Sequence, residues 1–316
     1  MTSPAAATGP QTSSLIIGNA LSIPKLIYGT AWKKERTADL VYAALKTGFR
    51  AVDTAAQPKH YDERGVGEGI GRAICEGIVN RKDLFIQTKF TPLNSQSETL
   101  PYDRFAPLVD MVHQSVQSSL KNFTFVGQEP YLDGLILHGP MDTIDDTMIV
   151  WKTLESYAPH RIRHLGLSNT TLSTLEAVYA RASLKPAIVQ NRFWSRTGFE
   201  RALRSYCREN DMVFQAFWTI TANRELLESE PVRFVAQNAG VDAVAAYYSL
   251  LVALGNLAVL DGTTDTAHMA ADLEIEKVGF HARRPVARVY NNEGNEGNEG
   301  NGGNDSNITN GKNNSE

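Results

Sequence analysis

The 316-residue sequence predicts an α/β fold, a closed (β/α)8 TIM barrel, and three observations carry that expectation. Short β-branched and aromatic runs alternate eight times with longer stretches of helical period, the pattern of repeated βα units on a parallel sheet. The eight units fill about 250 residues, the usual size of one such barrel. No Gly-x-Gly-x-x-Gly follows the first run, as it would in a doubly wound dinucleotide-binding sheet, so that fold is the runner-up.

In chain order the strands read as residues 26–30, 49–53, 84–88, 132–137, 162–167, 187–190, 212–217 and 257–260. Helical stretches follow Lys34, Asp62, Asp103, Asp142, Thr171, Gly198 and Ser229, and a last one covers 265–277. Several open on an acidic or hydroxyl residue able to cap the first turn. The most apolar run, 243–254, is interrupted by Ser249 and preceded by Asp242. It falls short of the roughly 20 apolar residues that cross a membrane and reads as buried core. Gly65, Gly67, Gly69 and Gly71 alternate inside the second helical stretch, where close helix packing is the better reading than a phosphate loop.

Residues 1–14, rich in Ala, Thr, Ser and Pro, read as a flexible N-terminus without a secretory pattern. The barrel is assigned to 15–280. Of the last 26 residues ten are Asn and six Gly, too little apolar surface to offset the entropy of ordering, so 281–316 reads as a disordered tail. The sequons at Asn122, Asn169 and Asn307 are then chance matches.

Composition removes whole classes of function. With 42% hydrophobic and 21% charged residues the chain can fill a large core. A net charge of −4 with scattered Lys and Arg offers no footprint for nucleic acid. Cys75 and Cys207 stand too far apart for a zinc motif or a disulfide framework, which suits a reducing, cytoplasmic compartment. Seven histidines occur without a ligand-spaced cluster, so no metal is expected.

In a barrel of this kind the chemistry sits at the C-terminal ends of the strands. Asp53 ends the second strand, Lys89 follows the third, His138 follows the fourth, and Tyr61 lies in the loop after Asp53. Singly, each has a structural explanation as cap, snorkelling cation, core imidazole or rim aromatic. Jointly they form a proton-transfer set: Lys89 lowers the Tyr61 pKa, Asp53 holds Lys89 charged, and His138 orients a carbonyl. That suits carbonyl reduction. A Schiff-base aldolase with Lys89 as nucleophile is a rival on the same residues.

The segments Ile23-Pro-Lys-Leu-Ile-Tyr-Gly-Thr, Gly48-Phe-Arg-Ala-Val-Asp-Thr-Ala, Tyr61-x-Glu-x-x-Val-Gly-Glu-Gly-Ile, Gln87-Thr-Lys-Phe and Leu135-Ile-Leu-His-Gly-Pro together resemble the aldo-keto reductase family. The likeness runs from residue 23 to about 280. It implies reduction of a small-molecule aldehyde or ketone by NADP(H), with Asp53, Tyr61, Lys89 and His138 as the catalytic tetrad. It further implies cofactor contacts from Gly29, Thr30 and Asp53, from Ser168, Asn169 and Gln190 to the nicotinamide carboxamide, and from Phe217 by stacking. Thr263, Thr264, His268 and Asp272 would hold the adenosine 2′-phosphate end, where helix N-terminal amides suit an anion.

The chain departs from the family pattern in four places. The basic pair of the 2′-phosphate loop is absent, which leaves NAD(H) open. Gln57-Pro58-Lys59 lengthens the Asp53-to-Tyr61 interval by about three residues, an insertion a loop can absorb. Ala216-Phe217-Trp218-Thr219-Ile220 stands where the family has Ala-Tyr-Ser-Pro-Leu. The Asn/Gly-rich tail replaces the C-terminal specificity segment, which implies an open pocket. Trp32 is the candidate substrate wall, ahead of Tyr28 and Trp194. The family resemblance also admits a cofactor-binding regulatory or partner subunit with little turnover.

Overall fold

The computed structural model describes residues 13–17 and 21–278. The first twelve residues and the Asn/Gly-rich stretch read as a tail lie outside them. An antiparallel hairpin opens the fold, β1 (Ser14–Ile17) with β2 (Leu21–Pro24). Eight parallel strands then close into a barrel: β3 (Leu26–Gly29), β4 (Ala51–Asp53), β5 (Phe85–Phe90), β6 (Leu132–Leu137), β7 (Ile162–Ser168), β8 (Ile188–Arg192), β9 (Val213–Phe217) and β10 (Leu257–Asp261). Each pairs with its sequence neighbour and β10 returns to β3, so no edge remains unpaired.

The intervening helices are α1 (Thr37–Thr47), α2 (Glu63–Cys75), α3 (Leu108–Asn122), α4 (Ile144–Glu155), α5 (Leu172–Arg181), α6 (Arg201–Glu209), α7 (Glu230–Ala239), α8 (Ala243–Val252) and α9 (Thr266–Asp272). Side-chain caps start several of them: Asp62 accepts from Gly65 N, Thr143 from Asp146 N, Thr171 from Thr174 N and Asp242 from Ala245 N. The expected start after Asp103 is early, because Pro107 directly precedes α3 and the residues between are turn. The apolar run at 243–254 is core, as expected, but it forms a helix of its own, so two helices separate β9 from β10. The hairpin was not expected; its Ile17, Leu21 and Ile23 plug the bottom of the barrel against Ile27, Ala51 and Phe85.

Inside the barrel two layers differ in chemistry. The lower layer is apolar, with Ile136, Ile188, Val213 and Ala258 facing one another. Two residues on from Ala51, Phe85, Ile188 and Val213 of this apolar cluster, on the same inward side, stand Asp53, Gln87, Gln190 and Gln215, all buried and polar. The glycine run in α2 serves packing: a Cβ at Gly67 would sit 2.1 Å from Asn122 O at the end of α3, and one at Gly69 2.5 Å from Ala38 O of α1.

Candidate active site

A cavity of about 1020 Å³ opens at the C-terminal ends of the strands and is floored by the polar layer. Asp53, the last residue of β4, ion-pairs with Lys89 of β5: Lys89 Nζ lies 2.6 Å from Asp53 Oδ2 and 2.8 Å from Oδ1. The third N–H donates to Thr54 O at 2.7 Å. Both side chains are almost wholly buried. Burial draws the Lys89 ammonium below its usual range, while the Asp53 carboxylate opposes that shift.

Tyr61 stands over this pair, its ring centre 5.1 Å from Lys89 Nζ. The inserted Gln57-Pro58-Lys59 is absorbed by a turn in which His60 N and Tyr61 N both donate to Gln57 O at 3.0 Å. Gln57 Nε2 pins the base of that turn to Ser95 O at 2.6 Å. His138, one residue beyond β6, meets the Tyr61 ring edge-on at 6.0 Å between centres. Its Nδ1 is 2.7 Å from Thr91 Oγ1, which leaves Nε2 free. The four residues expected to act together are brought together.

The electrostatics revise one expectation. Tyr61 does not have a lowered pKa in the resting site: burial, and next the Asp53 carboxylate, push its phenol well above the ordinary value. The Lys89 charge is largely spent on Asp53, so it does not offset burial. His138 is pushed down to about 3, first by burial and then by the Lys89 and His60 charges, so the imidazole is neutral at physiological pH.

Of the other expected residues, Gly29, Ser168, Asn169, Gln190 and Phe217 line the cavity. Asn169 adopts a left-handed backbone (φ 51°) and ties β7 to β6 through Nδ2 to His138 O at 2.8 Å. Thr30 does not reach the cavity; it is buried and its hydroxyl donates to Asp53 O at 2.9 Å. Trp32 lines the cavity, 61% exposed, its ring tilted at 42° to that of His60 with centres 3.8 Å apart, and Trp218, 50% exposed, lines it too. Tyr28 is interior, its hydroxyl spent on Thr263 O, and neither it nor Trp194 lines the cavity.

Thr263, Thr264, His268 and Asp272 line the far end. There the expected anion site is changed: the amides of Ala267 and His268 at the start of α9 already bond the Asp265 carboxylate, at 2.7 and 3.1 Å. Asp272 is buried near Asp261, and burial, followed by that neighbouring carboxyl, raises its pKa to about 9. Sequence reasoning missed Asp261, Lys33, whose Nζ donates to Gly262 O at 2.8 Å, and the interior Gln87 and Gln215. The signal for the last two was present, since a glutamine follows Phe85-Ile86 in one interior strand and stands between Phe214 and Ala216 in another.

The chain matches the sequence model of the Aldo/keto reductase family over residues 20–251. It is 33% identical over 183 residues to an NAD(P)H-dependent D-xylose reductase from Pachysolen tannophilus, covering 55% of this chain and 57% of that protein. It is 31% identical over 199 residues to a glyoxal reductase from Bacillus subtilis, covering 62% of each. These matches thus span less than two thirds of either relative. Its fold superposes on the crystal structure of a Bombyx mori aldo-keto reductase in complex with NADP, with a TM-score of 0.68 and 21% identity over 85% of this chain and 91% of that one.

Proposed function

The chain belongs to the aldo/keto reductase family, and from that premise we propose that it reduces an aldehyde or ketone to the alcohol with NAD(P)H, Tyr61 being the proton donor. The observation that carries this reading is the buried Lys89–Asp53 pair beneath Tyr61, with a neutral His138 beside it at the floor of one cavity. The catalytic unit is the barrel over 15–280, with 1–14 and 281–316 as flanking segments.

The residues present fit a nicotinamide dinucleotide. A cavity of about 1020 Å³ is at the upper end for small-molecule sites and has room for cofactor and substrate together. Gln190, Ser168 and Asn169 would hold the carboxamide, Phe217 would stack on the ring, and Thr263, Thr264, His268 and Asp272 would take the adenosine end. When bound, the cofactor supplies the hydride.

The chain's own residues supply the proton. Burial keeps the Tyr61 phenol protonated, so the donor form is the resting form. As its proton passes to the carbonyl oxygen, the phenolate forms beside the Lys89 ammonium, which stabilises it. His138 Nε2, the ring nitrogen left free by Thr91, orients the carbonyl. All three Lys89 N–H bonds have acceptors, which leaves no lone pair for an imine and disfavours the aldolase reading.

The test is optical: oxidation of NADPH and NADH with aromatic, aliphatic and sugar aldehydes, for the intact chain and Tyr61→Phe. Turnover should fall by about 10²-fold or more in the variant, the scale of a lost general acid, while cofactor binding is kept. Retained turnover rejects Tyr61 as donor. An intact chain that binds cofactor yet turns over no carbonyl supports the partner-subunit reading instead.

A further inference from the structure

At the cavity floor, three glutamines from three strands close a hydrogen-bonded ring with the Asp53 carboxylate, which two of them reach directly. Gln87 donates from Nε2 to Asp53 Oδ1 at 2.6 Å and to Gln215 Oε1 at 2.7 Å. Gln215 returns a bond from its own Nε2 to Gln87 Oε1 at 2.8 Å. Gln190 donates from Nε2 to Asp53 Oδ1 at 2.9 Å and to the same Gln215 Oε1 at 2.8 Å. The three side chains are at most 2% exposed. The proton-transfer set uses neither Gln87 nor Gln215, and the layer above the apolar interior could have been apolar too. Room was made for them: a Cβ at Gly134 on the neighbouring strand would lie 3.0 Å from Gln87 Cβ.

The charge on Asp53 fixes the direction of every bond in this ring. An ionised carboxylate only accepts, so both amides that reach it must present NH2. Gln215 must then present its oxygen to those two NH2 groups and its own NH2 to Gln87 Oε1. Gln190 has both N–H bonds committed downward, and its Oε1, met by no described donor, is the end left for the cavity that Gln190 lines. Turning the Gln190 amide over would set its oxygen against Asp53 Oδ1 and Gln215 Oε1, two acceptor–acceptor contacts in a buried site where unpaired polar groups are costly.

We propose that Gln215, together with Gln87, is a positioning residue that locks the Gln190 amide with its oxygen toward the cavity. The site is thereby an acceptor for the NH2 of the nicotinamide carboxamide. This rests on the reductase reading above, because it names what the ring prepares Gln190 to receive.

The experiment compares each nicotinamide dinucleotide, NADP and NAD, with its acetylpyridine analogue, in which a methyl replaces the carboxamide NH2. Dissociation constants are read from quenching of tryptophan fluorescence for the intact chain, Gln215→Leu and Gln215→Glu. The intact chain should prefer the nicotinamide form by about tenfold, the scale of one buried hydrogen bond. In Gln215→Leu one of the two bonds that fix the Gln190 amide is lost and Asp53 alone still orients it, so the preference should shrink to about threefold or less. A merely structural Gln215 would weaken both ligands together and keep the ratio, which overturns the proposal.

Gln215→Glu adds a test that survives if the leucine variant fails to fold. Protonated, the introduced carboxyl has the amide's pattern, one oxygen accepting and an O–H donating to Gln87. Ionised, it has no donor and adds a second charge beside Asp53. In both states an oxygen still accepts from Gln190 Nε2, so the ligand ratio should match the intact chain at about pH 6 and about pH 9 alike; a ratio of about threefold or less at either pH overturns the proposal. Should the intact chain bind neither cofactor, the reductase reading falls and takes this one with it. Binding with a ratio unchanged in Gln215→Leu removes the positioning role alone.

Discussion

At His138 a single side chain sets a pH dependence whose sign follows from its surroundings. An unfolded chain would titrate this imidazole near its ordinary value of 6.5, whereas in the fold it is pushed down to about 3 by burial and by the Lys89 and His60 charges. Between those values the unfolded state binds a proton that the folded state refuses, so stability falls as pH drops from about 6.5 toward 3. Above 6.5 both states are neutral and the contribution vanishes. We expect His138→Gln, neutral at every pH, to lose less stability than the intact chain between pH 7.5 and pH 5 in urea unfolding. Equal losses would show that His138 is not the group responsible. For the same reason the pH–rate profile should carry no ionisation near 6.5 from this residue.

At the scale of elements, legibility followed chemistry. All eight barrel strands lie within two residues of the sequence expectation at both ends, because interior strands of a parallel sheet are short apolar runs bounded by turns. The second was expected from residue 49 and begins at Ala51, since Phe49 N still closes α1 on Ala44 O. The hairpin was illegible because Leu15, Ile16 and Ile17 carry only a short run, and what makes them strand is the open barrel bottom they cover. The amides at the start of the last helix were read as an anion site, yet Asp265, the N-cap, takes the Ala267 and His268 amides with its own carboxylate. Those bonds hold its pKa below the usual carboxylate value, so it is charged at neutral pH. A fixed negative charge there opposes a 2′-phosphate at the cavity end lined by His268 and Thr264. Asp265→Ser keeps a capping oxygen and removes the charge. It should raise NADPH affinity relative to NADH by several-fold at low salt, and less at high salt as screening takes over; an unchanged ratio at low salt would separate this element from cofactor choice.

Across the whole molecule, the two ends of the barrel divide the work. Tyr61, His138, Lys89 and Asp53 gather where the strands end, and the opposite end holds a charged hub with no cavity contact. There Asp133 Oδ2 meets Arg81 Nη1 at 2.8 Å and accepts from Ile86 N at 3.0 Å, while Asp133 Oδ1 meets Arg163 Nη1 at 2.9 Å. Arg81 is 1% exposed and also donates to Leu84 O and Tyr131 O, so the hub ties the starts of β5, β6 and β7 together. Removing Asp133 strands the Arg81 guanidinium in the interior without its counter-charge, a loss of about 3–5 kcal/mol. For a domain of this size that lowers Tm by roughly 10 °C. The strands would still be held above the hub by their ladder hydrogen bonds and by the apolar layer, so the geometry at the far end should persist while the chain is folded. Asp133→Ala should therefore melt earlier, yet keep its cofactor dissociation constant and kcat/KM at 20 °C within about twofold, the spread of minor mutational effects. A variant with normal Tm but weakened turnover would mean that strain at the base reaches the polar layer, and that the two ends are mechanically one.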